Sequence, residues 1–138
     1  MNPNESYVTV EHRSGAYIAK AIEKSQSRIL VEIAAVVRHP LQGDLHHPYE
    51  ADVPMFHERR AASNREKVWV PASSVEAYAG AVPSYEESLR RAWEEMIASM
   101  SHMAVADQSD EVDRRPGLAK WAERSIEKLR ELEKDYWG

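Results

Sequence analysis

Four of the chain's six histidines, His39, His46, His47 and His57, fall in one short stretch that also carries Asp44, Glu50, Asp52 and Glu58. Imidazole and carboxylate are ligands for zinc, manganese and iron, so the first chemistry to weigh is a metal centre. The spacing does not fit one. No His-x-x-x-His pair is present to share a helix face, and Pro40, Pro48 and Pro54 deny the stretch a regular helical pitch. In an extended segment the adjacent His46 and His47 point to opposite sides. A metal-binding protein or metal-dependent hydrolase built on the segment from His39 to His57 therefore stands as the alternative. The favoured reading is a contact surface for a protein partner, made by His39, Asp44, His46, His57, Glu58, Arg59 and Arg60. Glu58-Arg59-Arg60 could clamp a carboxylate or phosphate through bidentate guanidinium contacts, although surface ion pairs are the commoner use of such arginines.

Other chemistries find less support. No Gly-x-Ser-x-Gly elbow and no glycine-rich phosphate loop occurs, and the five glycines are scattered. The chain has no cysteine, which rules out disulfides, thiolate–zinc sites, thiol nucleophiles and a lipidated cysteine. His102 could be read as a phosphate acceptor, but two helices do not make a phosphotransfer bundle. A histidine near a helix C-terminus complements the dipole instead. No catalytic residue is assigned, no cofactor is expected, and the chain is read as a non-enzyme.

The elements that must position these residues can be read in order. Residues 5 to 12 and 16 to 24, and the apolar run Arg28–Arg38, are rich in β-branched side chains and separated by Arg13-Ser14-Gly15 and Ser25-Gln26-Ser27. They predict a three-stranded meander. Asp52–His57 suits an edge strand, where proline is tolerated. Lys67–Val70 alternates as another strand, and residues 71–78 read as a short helical turn. About five short strands at this spacing predict a small SH3-like barrel.

Two helices follow. Ser84-Tyr85-Glu86-Glu87 has the form of a capping box, after which Tyr85, Leu89, Trp93, Met96, Ile97 and Met100 share one face. This helix is expected to end near Met103. Residues 104 to 115 read as a polar connector. A second stripe runs through Leu118, Trp121, Ala122, Ser125, Leu129, Leu132 and Tyr136, with Glu127 and Arg130 as ion-pair partners. Met96, Met100 and Met103 are either core or an adaptable docking stripe. The expected class is α+β, a small SH3-like β-barrel followed by a C-terminal helical hairpin. The barrel domain is placed at 1–80 and the two-helix region at 81–138.

Formal net charge is −5 over 138 residues. Up to Gly80 there are 9 basic and 10 acidic residues, and from Ala81 there are 9 and 13. No basic face of the kind that releases counterions from a nucleic acid is evident, and no nucleic-acid partner is expected. No apolar run approaches the ~20 residues that span a bilayer, and the start reads as no signal peptide. The expected address is cytoplasmic, without direct membrane insertion.

The blocks His39–His46 and Asp52–Arg60 together resemble the kinase-associated protein B family of spore-forming bacilli. Ser6-Tyr7-Val8, Gly15-x-Tyr17-Ile18 and Val82-Pro83-x-Tyr85-x-x-Ser88-Leu89-Arg90 agree with it. The likeness covers residues 5 to about 100. It implies an SH3-like barrel followed by helices. It also implies a signalling accessory protein that associates with a membrane-bound sensor histidine kinase feeding the sporulation phosphorelay. The family is often called a lipoprotein, and this chain lacks the cysteine that label requires. A membrane link would then be peripheral, running through the partner. A homo-oligomer is left open.

Overall fold

The computed structural model describes residues 6–109, with side chains to 105, and residues 117–138. It is α+β, with five antiparallel strands and two C-terminal helices. The strands are β1 (Tyr7–His12), β2 (Gly15–Ser25), β3 (Arg28–Arg38), β4 (Lys67–Pro71) and β5 (Glu76–Ala77), and the helices are α1 (Tyr85–Ser109) and α2 (Leu118–Trp137). The described residues fall into two compact units. One is the chain up to Pro40 with Ala61–Ala92, and the other is Leu41–Arg60 with Trp93–Gly138.

In the first unit, the meander forms as the turn chemistry requires. Arg13 and Ser14 both take positive φ, 49° and 68°, between the paired His12 and Gly15. Two central residues of that kind match the right-handed twist of the strands they join. Strand order is β4-β3-β2-β1-β5, with β5 returning to pair Val8 with Ala77 and Thr9 with Glu76. Among the described residues no ladder joins β4 to β5, so the sheet is open. The expected closed barrel is not what the chain forms. The fifth strand is also not Asp52–His57, which makes no ladder. Glu76–Ala77 takes that place, after a 3₁₀ turn at Ala72–Ser74.

β2 and β3 are paired with three register shifts. Ile22 and Val37 are residues left without a partner at two of these bulges, and both are exposed. An extra residue in one strand breaks the in–out alternation locally. Val31, Ile33 and Ala35 of β3 are buried, as are Val68 and Val70 of β4 and the consecutive Tyr17, Ile18 and Ala19 of β2.

Two tyrosines hold the backbone of Ala62 on both sides of its Cα. Its N–H donates to the Tyr17 hydroxyl at 3.0 Å, and the Tyr85 hydroxyl donates to its carbonyl at 2.6 Å. Burial raises the Tyr17 pKa. The first turns of α1 are secured by Ser84, whose Oγ accepts the Glu87 N–H at 3.2 Å. Ser88 accepts the Val36 N–H at 2.9 Å, and its hydroxyl donates to the Tyr85 carbonyl at 2.9 Å.

In the second unit, Trp93, Met96 and Met100 of α1 share a core with Trp121, Ala122 and Leu129 of α2. Trp93 Nε1 donates to the Leu129 carbonyl at 2.8 Å, and its ring meets that of Trp137 edge-on at 5.8 Å. The start of the α1 segment thus lies by the end of α2, which makes the pair antiparallel. α1 runs to Ser109, past the expected stop at Met103, because 104–109 contain no proline or glycine to end it. The rest of the expected connector, with Asp110, Glu111 and Asp113, lies outside the described residues.

Candidate functional site

Gln42 closes the central stretch. Its side-chain amide donates Nε2–H to the Arg59 carbonyl at 2.8 Å and accepts the Arg59 N–H on Oε1 at 2.8 Å. A carboxamide carries one donor and one acceptor side by side, so it can replace a peptide group in a ladder. Beside it the Gly43 N–H donates to the His57 carbonyl at 2.9 Å, and Arg59 Nε to the Gly43 carbonyl at 3.0 Å. These four bonds bring the two ends of the loop together at a neck.

The body of the loop is packed. Ala51 and Phe56 are buried in the core shared with α1 and α2. The Tyr49 ring meets Trp121 edge-on at 4.9 Å, and Trp121 Nε1 donates to the Gln42 carbonyl at 3.3 Å. Arg124 lies over the Phe56 ring, 4.4 Å from its centroid, and donates to the Ala51 carbonyl. Phe56 explains why Asp52–His57 is no strand: the segment is held by its side chains, and Pro54 offers no N–H to a ladder.

The residues singled out from the sequence take different positions. His39 belongs to the first unit and is fully enclosed, 0% exposed. Its Nδ1 lies 3.0 Å from the Pro40 carbonyl, and burial lowers its pKa to about 4. A ring with no exposed surface offers nothing for a partner to touch, so His39 is a core residue and leaves the contact set. Asp44 forms a local turn, with Oδ1 accepting the His46 N–H at 2.9 Å and Oδ2 facing His47 Nδ1 at 3.2 Å. The bond from His46 is the main reason its carboxyl pKa falls below the usual value. His46, His47, His57 and Glu58 are exposed. Arg59 is half-buried at the neck. Arg60 pairs with Asp135 at 2.7 Å, with its guanidinium 5.9 Å from the Tyr136 ring.

Among the described residues, no three histidine or acidic side chains gather as a metal-ligand group, so the metal reading has no ligand set. The expected methionine stripe is core filling: Met96 and Met100 are buried, and Met103 is packed beside them. His102 is exposed and lies well before the end of α1, where the helix dipole has no hold on it.

Sequence reasoning missed Gln42, because hydrogen-bonding pairs 17 residues apart leave no periodic signal. It also missed Met55, which is 60% exposed on the outer side of the loop. The alternation Met55-out, Phe56-in was a usable clue.

The fold and the loop define a small α+β protein with an open antiparallel sheet and a stapled loop on a helix pair. The kinase associated protein B family model matches residues 12–137. Kinase-associated lipoprotein B of Bacillus subtilis (strain 168) is 40% identical over 127 residues, covering 92% of this chain and 88% of that one. The X-ray crystal structure of kinase-associated protein B from Bacillus cereus matches with a TM-score of 0.70 at 31% identity, over 95% of this chain and 94% of that one. The chain belongs to the kinase-associated protein B family. Its relative is named a lipoprotein, whereas these 138 residues contain no cysteine to carry a thioether-linked lipid. Among the described residues no helix is long and apolar enough to cross a membrane.

Proposed function

We propose that this chain is a non-enzymatic accessory protein that binds a kinase through the outer surface of the stapled loop. The observation that carries the reading is the reciprocal Gln42–Arg59 pairing over a packed loop body. A loop fixed before binding loses little conformational entropy when a partner docks. The contact set is Asp44, His46, His57, Glu58, Arg59 and Arg60, with Met55 added as an exposed apolar anchor. The family name supports kinase association. The finer identity of the partner, a membrane-bound sensor histidine kinase feeding the sporulation phosphorelay, rests on the resemblance alone. So does a cytoplasmic site of action with a membrane link through the partner.

The test is capture of the kinase from detergent-solubilised host membranes by the tagged full chain. Paired captures would use Met55→Ala and the charge reversal Glu58→Arg. Each variant is expected to weaken binding about tenfold or more, at unchanged melting temperature, because exposed anchors contribute ~1–2 kcal/mol or more. Equal capture by wild type and both variants would reject the loop as the contact surface. Failure to capture any kinase would reject the function.

A further inference from the structure

The chain has four tryptophans, and their surroundings differ. Trp93 and Trp121 are buried, and Trp137 packs edge-on against Trp93 and Tyr136. Trp69, on β4, is 39% exposed, with no ring contact among the described residues. It stands across from Leu30 in the register of β3 and β4. Beside it is a surface hollow of about 220 Å³ lined by Ser25, Gln26, Ser27, Arg28 and Trp69.

That hollow is built into the backbone. Ser25 pairs with Arg28 across the β2–β3 turn, Arg28 pairs with Pro71 of β4, and the Ala72 N–H donates to the Ser27 carbonyl at 2.7 Å. Its one charged lining group is the Arg28 guanidinium, which has no ion pair among the described residues. No carboxylate lines the hollow. Glu32, further along the same face, stands in register between Lys20 and Lys67 and is flanked by cations of its own. Glu23 stands opposite Leu30, diagonal to Arg28 across the β2–β3 pair, and makes no ion pair with it. A chain with net charge −5 thus leaves Arg28 without an ion pair next to its exposed indole, in a hollow no carboxylate lines. Tryptophan and arginine are the side chains most enriched where binding energy concentrates.

We propose that the Trp69–Arg28 hollow is a docking site for an acidic segment of a protein partner. An apolar side chain of that segment would lie on Trp69 and Leu30, and a neighbouring carboxylate would pair with Arg28. The hollow and the stapled loop share no residue, so failure there does not bear on the hollow, nor the reverse.

The test is selection of displayed random peptides on the intact protein, with the best enriched peptides then titrated in solution. The readout is ¹⁹F resonances of protein carrying 5-fluorotryptophan, with Trp69 assigned from Trp69→Phe. The enriched peptides are expected to carry Asp or Glu beside an aliphatic or aromatic residue and to shift the Trp69 signal. Their Kd should rise at least tenfold in Arg28→Glu and in Trp69→Ala, with melting temperatures confirming that both variants fold. Affinity should also fall as sodium chloride is raised. The proposal is overturned by an enriched set lacking acidic residues, by a Trp69 signal that does not move, by Kd values unchanged in both variants, or by no enrichment at all.

Discussion

Two serines, both 1% exposed, sit on helices and should respond to alanine in opposite directions. Ser88 is fully engaged, accepting the Val36 N–H and donating to the Tyr85 carbonyl. Ser88→Ala leaves a buried strand amide without its acceptor and should cost about 1–3 kcal/mol. The Ser125 hydroxyl is buried with no partner among the described residues. Ser125→Ala removes that desolvated group and improves helix propensity, so it should stabilise by up to about 1 kcal/mol. Urea denaturation of both variants checks the pair, and a loss of stability in Ser125→Ala would refute the second prediction. His39 gives a pH signature. Its folded pKa of about 4 lies below the ordinary histidine value of 6.5, so the unfolded chain takes up the proton first as pH falls. Stability contributed by the neutral ring is complete above pH 6.5 and is lost between 6.5 and 4, on the order of 3 kcal/mol. Burial also lowers the His12 pKa, which adds loss in the same direction. His39→Asn, which keeps a donor near the Nδ1 position, should flatten most of the difference between urea midpoints at pH 7 and pH 4.5.

At the scale of elements, the loop neck depends on one side chain and one glycine. Gln42→Glu keeps the shape but cannot donate to the Arg59 carbonyl when ionised, and it sets a carboxylate against that oxygen. A loss of about 2 kcal/mol is expected at neutral pH, from the unmade bond and the buried charge. Gly43 has φ of +100°, and a Cβ there would stand 3.0 Å from the Phe56 ring. Gly43→Ala should therefore destabilise by about 1–3 kcal/mol through strain and crowding together. The strands and helices were legible because their signals are local: β-branched runs between polar turns, and stripes at steps of three and four. Lys67–Val70 alternates in the sequence, and in the fold Val68 and Val70 are buried while Trp69 between them is exposed. The two-residue β5 was not legible, since Glu76–Ala77 pairs only because β1 lies beside it. The neck was not legible either, because Gln42 and Arg59 meet through a side-chain amide that follows no period. His39 shows the limit for the site: a histidine reads the same in sequence whether it faces solvent or the core.

At the scale of the whole molecule, the compact units are not continuous along the chain. The loop Leu41–Arg60 groups with Trp93–Gly138, while the residues on either side of it group with the sheet. Residues that open together as one cooperative unit share one exchange free energy. The amides of Gly43 and Arg59 should then exchange at the rate of protected amides around Leu129 in α2. They should not follow those of Ile33 or Val36 in β3. Native-state hydrogen exchange measured residue by residue decides this, and neck amides tracking the sheet would contradict it. The uneven placement of the four indoles has an optical consequence. Iodide in the bulk solvent should extinguish the emission of Trp69 well before that of Trp93 or Trp121. A bound molecule that shields β4 would then reveal itself as protection from the quencher, with no label attached.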